Sequence, residues 1–361
     1  MKAWVLQESG RISYEEREMP VPAENEVRIR VEAVGICGSD IPRIYETGAH
    51  RMPLIPGHEF SGVVESIGKN AHSYWLGKRV AVYPKIPCGK CRECMDGLYD
   101  MCTDYDYIGS RRDGAFAEYV TAPVDNLMVL PDEISFEQAA MIEPMAVAAN
   151  AMRTGCWGKH SILTLDKPVA VCGAGTIGLM VVMFLKEAGF QRVYVIGNKD
   201  AQQKRAESLG IPKECFCDSR KNDPVKWLKE VSYGGVYSYF ECVGSNESIR
   251  YGLNACTPGA WMILVGNPRT DMTFDRDTYW KILRNQMTIY GIWNSTFRQG
   301  EPLLNGEDTD DWGYVFRKLK EGKIHPEKLI SHRFPLKELE SGLLIMRDKT
   351  EDYCKVMIAN K

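Results

Sequence analysis

The sequence predicts an α/β protein of two domains, an irregular β-barrel or sandwich followed by a doubly wound parallel sheet. Three observations carry this. The 361 residues are too many for one comfortable core. The first part holds period-two alternation, as in Val27-Arg28-Ile29-Arg30-Val31-Glu32, which buries one strand face and wets the other. Near residue 165 the pattern changes to apolar strand, glycine turn, helix and second strand, a βαβ unit that implies parallel strands and a crossover helix.

Further short strands are expected at 59–67, 79–83 and 115–120, separated by Gly, Pro and polar turns. The βαβ unit takes strand 169–172, helix 176–188 and strand 193–196. Segments 237–242, 261–265 and 287–290 can extend its sheet. After Gly291 mixed polar segments return, ending in a strand at 355–358. The expected borders are 1–150 for the first domain, 151–293 for the second and 294–361 for a return to the first.

Hydrophobic residues make up 44% of the chain and charged residues 26%, an ordinary soluble balance. The net charge of -3 gives no general attraction to nucleic acid or an anionic membrane. No run approaches the roughly 20 apolar residues that cross a bilayer. The start, Met1-Lys2-Ala3-Trp4-Val5-Leu6-Gln7-Glu8, turns polar too soon for an export signal, so a cytoplasmic location is expected. The twelve cysteines are then reduced thiols by default.

Four of the twelve, Cys88, Cys91, Cys94 and Cys102, fall in one polar loop. Zinc favours tetrahedral sulfur, and these spacings let one loop wrap one ion, with Gly89 and Gly97 easing the wrap. A closed four-sulfur site leaves no open position, so this zinc is expected to hold structure. A nucleic-acid module is disfavoured, because Lys85, Lys90 and Arg92 share the loop with Glu93, Asp96, Asp100 and Asp104.

Gly173-Ala174-Gly175-Thr176-Ile177-Gly178 matches G-x-G-x-x-G between a strand and a helix, the context that makes the string meaningful. The first glycine makes the turn, the second admits a pyrophosphate, and the third lets helix and strand pack, which gives a Rossmann dinucleotide site. NAD-preferring versions carry an acid about 20 residues on, at the second strand's end. Here Gly197-Asn198-Lys199 stands there, with Asp200 late and Arg205 further along the next helix. The missing acid removes repulsion of a 2′-phosphate and Lys199 adds a charge, so NADP is preferred over NAD. On this reading Gly197→Asp favours NAD.

Cys37-Gly38-Ser39-Asp40, Gly57-His58-Glu59 and Ile142-Glu143-Pro144 can supply a Cys, a His and a Glu. Such a set leaves a zinc position open for water or substrate, but spacing alone does not join residues so far apart.

Taken in order, Cys37 to Asp40, Gly57-His58-Glu59-Phe60-Ser61-Gly62, the cysteine loop, Gly114-Ala115-Phe116-Ala117-Glu118-Tyr119, Glu143-Pro144 and the glycine turn resemble the zinc-containing medium-chain dehydrogenases over essentially the whole chain. Glu143, in place of a cysteine, resembles the sorbitol and threonine dehydrogenase branch. Residues 37–43 with Gly48-Ala49-His50, Tyr107-Ile108-Gly109-Ser110-Arg111-Arg112-Asp113-Gly114, and Lys281-Ile282-Leu283-Arg284 most resemble the galactitol-1-phosphate 5-dehydrogenases.

The resemblance implies a GroES-like catalytic domain carrying two zinc ions and a Rossmann domain. It implies that Cys37, His58 and Glu143 bind the catalytic zinc, with Glu59 at its edge as a ligand or through water. A zinc there lowers the pKa of a bound hydroxyl, Ser39 passes the proton outward, and the nicotinamide accepts hydride. Asp40 is expected to orient His58. Pro42 stands where many relatives place a relay histidine, and His50 is the candidate substitute. Val243, Val265 and Gly266 are further cofactor-binding expectations. Arg43, Arg112 and Trp293 are the expected substrate contacts, the arginines because their forks suit a phosphate.

The implied substrate is a polyol or polyol phosphate, and the implied assembly a homodimer or homotetramer. A threonine-type or simple secondary-alcohol dehydrogenase is the alternative within the family. A non-catalytic zinc- and NADPH-binding protein is the alternative outside it; such a protein is marked by lost catalytic ligands, and all are present here.

Overall fold

The computed structural model describes residues 1–157, 163–298 and 310–359. The chain divides into two compact units, one of Met1–Pro144 with Thr296–Lys361 and one of Met145–Ser295. The sequence suggested borders at 150 and 293. No loop marks the first border, because the helix Ile142–Trp157 runs from one unit into the other.

Among the described residues the first unit holds strands β1 (Lys2–Glu8), β2 (Arg11–Glu16), β3 (Glu26–Ile36), β4 (Glu59–Ile67), β5 (Arg79–Val82), β6 (Lys85–Ile86), β7 (Asp106–Tyr107), β8 (Tyr119–Pro123) and β9 (Leu127–Val129), joined from the far end of the chain by β16 (Ile330–Phe334) and β17 (Lys355–Ala359). One sheet runs β16-β17-β3-β4-β5-β9, with β8 also paired to β3. β3 organises it. Its first half alternates, burying Val27, Ile29 and Val31, whereas its last four residues are all buried. There β17 pairs antiparallel on one side, Val356 opposite Ile36, and β4 on the other, Gly35 opposite Glu59. Cys37 and Glu59 therefore leave the sheet at the same place. The alternating residues join Phe60, Val80, Phe116 and Val356 in one hydrophobic core.

One expected strand shifts. Residues 115–117 do not run in the main sheet; Phe116 N–H donates to Pro56 O, Trp4 N–H to Phe116 O and Glu118 N–H to Lys2 O, and contact with β3 resumes where Glu118 O accepts from Val31 N–H. The regular strand is β8, which starts at Tyr119. The apolar run Ala115-Phe116-Ala117 is buried against loops and β1, and burial alone does not separate that from a ladder.

The second unit holds β10 (Val169–Cys172), β11 (Val193–Gly197), β12 (Phe216–Asp218), β13 (Val236–Glu241), β14 (Cys256–Leu264) and β15 (Thr288–Gly291) in the order β12-β11-β10-β13-β14-β15. Every pairing is parallel. β10 and β11 are buried throughout, as strands covered on both faces must be. All carboxyl ends lie on one edge, and strand order reverses between β10 and β13, where open parallel sheets place their ligands. The expected α/β class, an irregular β unit plus a doubly wound parallel sheet, is what the chain forms. No described helix is long and apolar enough to cross a membrane.

Candidate active site and metal centres

At the shared end of β3 and β4, ligand atoms of Cys37, His58 and Glu59 all lie within 4.8 Å of one another. His58 and Glu59 are 4% and 1% exposed. Asp40 is fully buried beneath them. Its carboxylate accepts from Cys37 N–H at 3.0 Å and from Arg43 Nη1 at 2.5 Å, and Oδ1 lies 3.5 Å from His58 Nδ1. Burial pushes the Asp40 carboxyl up, but His58, Arg43 and the Cys37 N–H outweigh it and hold it below the usual range. Burial pushes the His58 imidazole down, and Asp40 with Cys37 more than reverses this. Cys37, placed by the end of β3, and His58, placed by β4, thus share one carboxylate support.

Glu143 is not part of the 4.8 Å group. It opens the helix Ile142–Trp157, and its Oε1 accepts from Tyr107 Oη at 3.3 Å. Burial pushes its carboxyl up to about 7, against the pull of His58. The Tyr107 ring meets the edge of His58, with centroids 5.8 Å apart. The structure thus gathers Cys37, His58 and Glu59 most tightly, with Glu143 close by through Tyr107. A thiol, an imidazole and one carboxyl are a three-donor zinc set that leaves a fourth position for an exchangeable ligand. The His58 Nδ1 faces the Asp40 carboxylate, an arrangement that turns the other ring nitrogen toward an ion.

The second set is Cys88, Cys91, Cys94 and Cys102, again with all ligand atoms within 4.8 Å. The Cys91 and Cys102 sulfurs are 3.8 Å apart. A zinc tetrahedron with bonds of about 2.3 Å has sulfur–sulfur edges of about 3.8 Å. Backbone N–H groups of Cys91 and Cys94 point at the sulfurs of Cys88 and Cys91, at 3.3 and 3.5 Å. Amide donors lower the Cys88 thiol to about 7, while burial raises that of Cys94 to about 12. Lys85 closes this site from beneath. It is 2% exposed, donates to Asp100 O and lies 4.3 Å over the Tyr105 ring.

In the second unit the glycine turn has the shape its spacing predicts. Gly173 has φ +100°, and a Cβ there would meet Val243 Cγ2 at 2.7 Å. At Gly175, the N-cap of the helix Thr176–Glu187, a Cβ would meet nothing within 4 Å, which leaves open space for a phosphate. At Gly178 it would meet Gly173 O at 1.9 Å, so only glycine lets helix and strand pack. Val265 and Gly266 donate to Glu241 O at 2.8 and 2.9 Å, which sets them at the carboxyl ends of β13 and β14 beside Val243. Gly197 ends β11.

Family models match both parts, an alcohol dehydrogenase GroES-like domain over residues 23–132 and a zinc-binding dehydrogenase over 176–305. The chain is 33% identical over 338 residues to galactitol 1-phosphate 5-dehydrogenase of Escherichia coli strain K12, covering 92% of each. It belongs to the zinc-containing medium-chain dehydrogenases. The chain superposes on a crystal structure of galactitol-1-phosphate dehydrogenase from Escherichia coli with a TM-score of 0.86 and 30% identity, covering 99% of this chain and 100% of the other. It is 31% identical over 358 residues to L-threonine 3-dehydrogenase of Bacillus subtilis, covering 96% and 95%. A TM-score of 0.86 at 27% identity, over 99% of each chain, relates it to a structure titled a short chain alcohol dehydrogenase of Escherichia coli CFT073, complexed with NADH.

This medium-chain dehydrogenase is therefore an oxidoreductase with a GroES-like and a Rossmann-like domain. Its expected relay and substrate residues fall as follows. Ser39 Oγ donates to Cys37 Sγ at 3.2 Å, and no hydrogen bond among the described residues joins it to His50. His50 is exposed; slight burial, then the charges of Arg111 and Arg43, hold its imidazole below the usual value. Arg112 gives its fork to Glu26 at 2.6 Å and lies 3.8 Å from Asp106, and Arg43 is committed to Asp40. Arg111 stacks on Tyr105 at 4.5 Å, and its Nε is buried with no hydrogen-bond partner. Trp293 is 72% exposed.

Two residues of the dehydrogenase escaped the sequence reading. Lys355, seen there only as the start of the last strand, is 2% exposed, ion-paired to Glu59, and donates to Ile36 O at 3.0 Å. A lysine inside an otherwise apolar terminal strand was the available signal. The other is Arg220, just past β12.

Proposed function

We propose that this dehydrogenase oxidises a secondary hydroxyl of a polyol or polyol phosphate, of the galactitol-1-phosphate type, to the corresponding ketone, with two zinc ions per chain and NADP preferred over NAD. The observation that carries the substrate class is Arg111, whose Nε is buried with no hydrogen-bond partner in the same unit as Cys37, His58 and Glu59. An arginine so placed suits an anionic end on the substrate better than a neutral hydroxyl requires.

Cys37, His58 and Glu59, with Glu143 beside them, would hold a catalytic zinc that lowers the pKa of the substrate hydroxyl while the nicotinamide accepts hydride. Asp40 fixes the imidazole of His58 and the backbone of Cys37 together. Lys355 holds Glu59 at the rim of the site. The Ser39 hydroxyl, rotated away from Cys37, takes the hydroxyl proton and passes it toward His50, the substitute for the relay histidine that Pro42 replaces. Cys88, Cys91, Cys94 and Cys102 hold the second zinc. Gly173, Gly175, Thr176, Ile177 and Gly178 receive the pyrophosphate on the helix N-terminus. Val243, Val265 and Gly266 line the nicotinamide side.

NADP preference rests on Gly197, Asn198 and Lys199, with Arg205 further along. A Cβ at Gly197 would meet Phe216 Cζ and Gln202 Oε1 at 2.7 Å, so the position offers no ready space for a ribose-binding acid. Assembly into a homodimer or homotetramer is supported by β15, an edge strand exposed along its length, and by Tyr279, Trp280 and Leu283 on the neighbouring helix Arg276–Arg284. A cytoplasmic setting agrees with the reduced cysteines.

The deciding experiment assays sugar alcohols and their phosphates, L-threonine and simple secondary alcohols, each with NADP and NAD. Highest kcat/KM for a phosphorylated polyol with NADP supports the proposal. Highest kcat/KM for L-threonine or a simple alcohol overturns it.

A further inference from the structure

The carboxyl end of β11 carries a charge arrangement that the β11 sequence alone does not reveal. β12 runs parallel beside it, with Gly197 opposite Asp218, and Ser219 N–H donates to Gly197 O at 2.9 Å. Chain leaving β12 thus passes directly alongside the Gly197-Asn198-Lys199 turn. That turn is closed by Gln202, whose Oε1 accepts from Asn198 N–H at 2.8 Å. The helix Asp200–Ser208 then begins with a carboxylate.

Two acids flank this turn. Asp218 is 9% exposed, and Asp200 stands at the first helical position. Left uncompensated, two carboxylates here repel any phosphate on the neighbouring ribose. Arg220 binds both. Its Nε and Nη2 grip Asp218 at 2.8 and 2.6 Å, and Nη2 also reaches Asp200 Oδ1 at 2.5 Å. Lys221 Nζ adds a contact to Asp218 at 3.1 Å. The guanidinium therefore bridges the end of β12 to the start of the helix after β11. Its Nη1 makes no hydrogen bond among the described residues, and the side chain is 45% exposed. The Arg220 hydrogen bonds hold the Asp218 carboxyl well below the usual range, so the pair stays ionised at every working pH.

We infer that Arg220 sets the choice of cofactor: together with Lys221 it balances the charges of Asp200 and Asp218 beside the β11 turn, and it presents Nη1 to the 2′-phosphate of a bound NADP. This rests on the NADP reading above and adds the residue that makes it workable. Without Arg220, two acids flank the turn against the charge of Lys221 on Asp218. With Nε and Nη2 held by the acids, Arg220 is fixed in place and its Nη1 stays available for a charge-assisted bond to a phosphate oxygen. It acts on binding only and touches no reacting atom.

The test titrates the zinc-loaded protein calorimetrically with 2′,5′-ADP and with 5′-AMP, ligands that differ by the 2′-phosphate. Wild type binds 2′,5′-ADP more tightly. Arg220→Gln weakens 2′,5′-ADP by about tenfold or more and changes 5′-AMP far less, so the ratio collapses. Arg220→Lys, which keeps the charge and loses the fork, falls between. If wild type prefers 2′,5′-ADP and the Gln variant keeps the same ratio, the inference is overturned and the NADP reading stands. Equal losses on both ligands also overturn it, by making Arg220 a support of the turn. A wild-type protein that binds both ligands equally overturns the NADP reading and this inference with it.

Discussion

The ammonium of Lys355, on the last strand, is ion-paired with the carboxylate of Glu59, on β4, and neither side chain is more than 3% exposed. Both charges are out of water, so each depends on the other. Removing one partner of such a pair costs about 3–5 kcal/mol, because an uncompensated charge stays behind. Lys355→Met is expected to destabilise the first unit by that order. Lys355→Met with Glu59→Gln is expected to recover a large part. A denaturation series over the four proteins reads the coupling; additive single losses would show that the pair is not linked.

Metal content is expected to separate the two sites. Cys37→Ser should lose one zinc and the activity while staying folded. Cys102→Ser should lose the other and lower thermal stability, since that ion would tie the two ends of its loop together. Elemental analysis with a melt on each variant decides this. Joint loss of both metals from Cys37→Ser would argue against independent sites.

Cofactor preference offers a test at the turn itself. The sequence suggests Gly197→Asp as a route to NAD, but the new Cβ collides with the Phe216 ring, so a stability loss of about 1–3 kcal/mol is expected along with any change in preference. Lys199→Glu avoids that clash. It is expected to lower kcat/KM for NADP much more than for NAD, through repulsion of the 2′-phosphate. Equal losses would remove Lys199 from cofactor choice.

Much of the site was legible because its residues are close in sequence. The four cysteines fall within one loop, and the glycine turn is read from six residues with a strand before and a helix after. Glu59 was expected at the edge of the zinc, as a ligand or through water; its place within the Cys37–His58 group follows from pairing of Gly35 with Glu59 across β3 and β4. Lys355 and Glu59 are 296 residues apart, and no periodicity links them. Arg220 was hidden for a similar reason. Its partners Asp218 and Asp200 meet only when β11 and β12 lie side by side. Residues 115–117 misled because burial against loops produces the same apolar pattern as burial in a sheet.

The substrate arginines are expected to part company on mutation. Arg43 and Arg112 were chosen from sequence as phosphate ligands, and both hold carboxylates in the structure. Arg43 supports Asp40, which in turn supports Cys37 and His58, so Arg43→Ala is expected to lower kcat on phosphorylated and free polyols alike. Arg112→Ala removes the contact to Glu26 and is expected to lower stability with a smaller effect on selectivity. Arg111 has a buried Nε without a partner and lies within electrostatic reach of His50, which leaves it best suited to an incoming phosphate. Arg111→Ala is therefore expected to raise KM for a phosphorylated polyol about ten- to a hundredfold, the scale of a lost charge-assisted contact, and to leave its unphosphorylated parent little changed. Steady-state kinetics on the paired substrates reads the difference. An equal rise on both would make Arg111 a support of the Tyr105 loop, and a selective rise in Arg112→Ala alone would return the phosphate to that arginine.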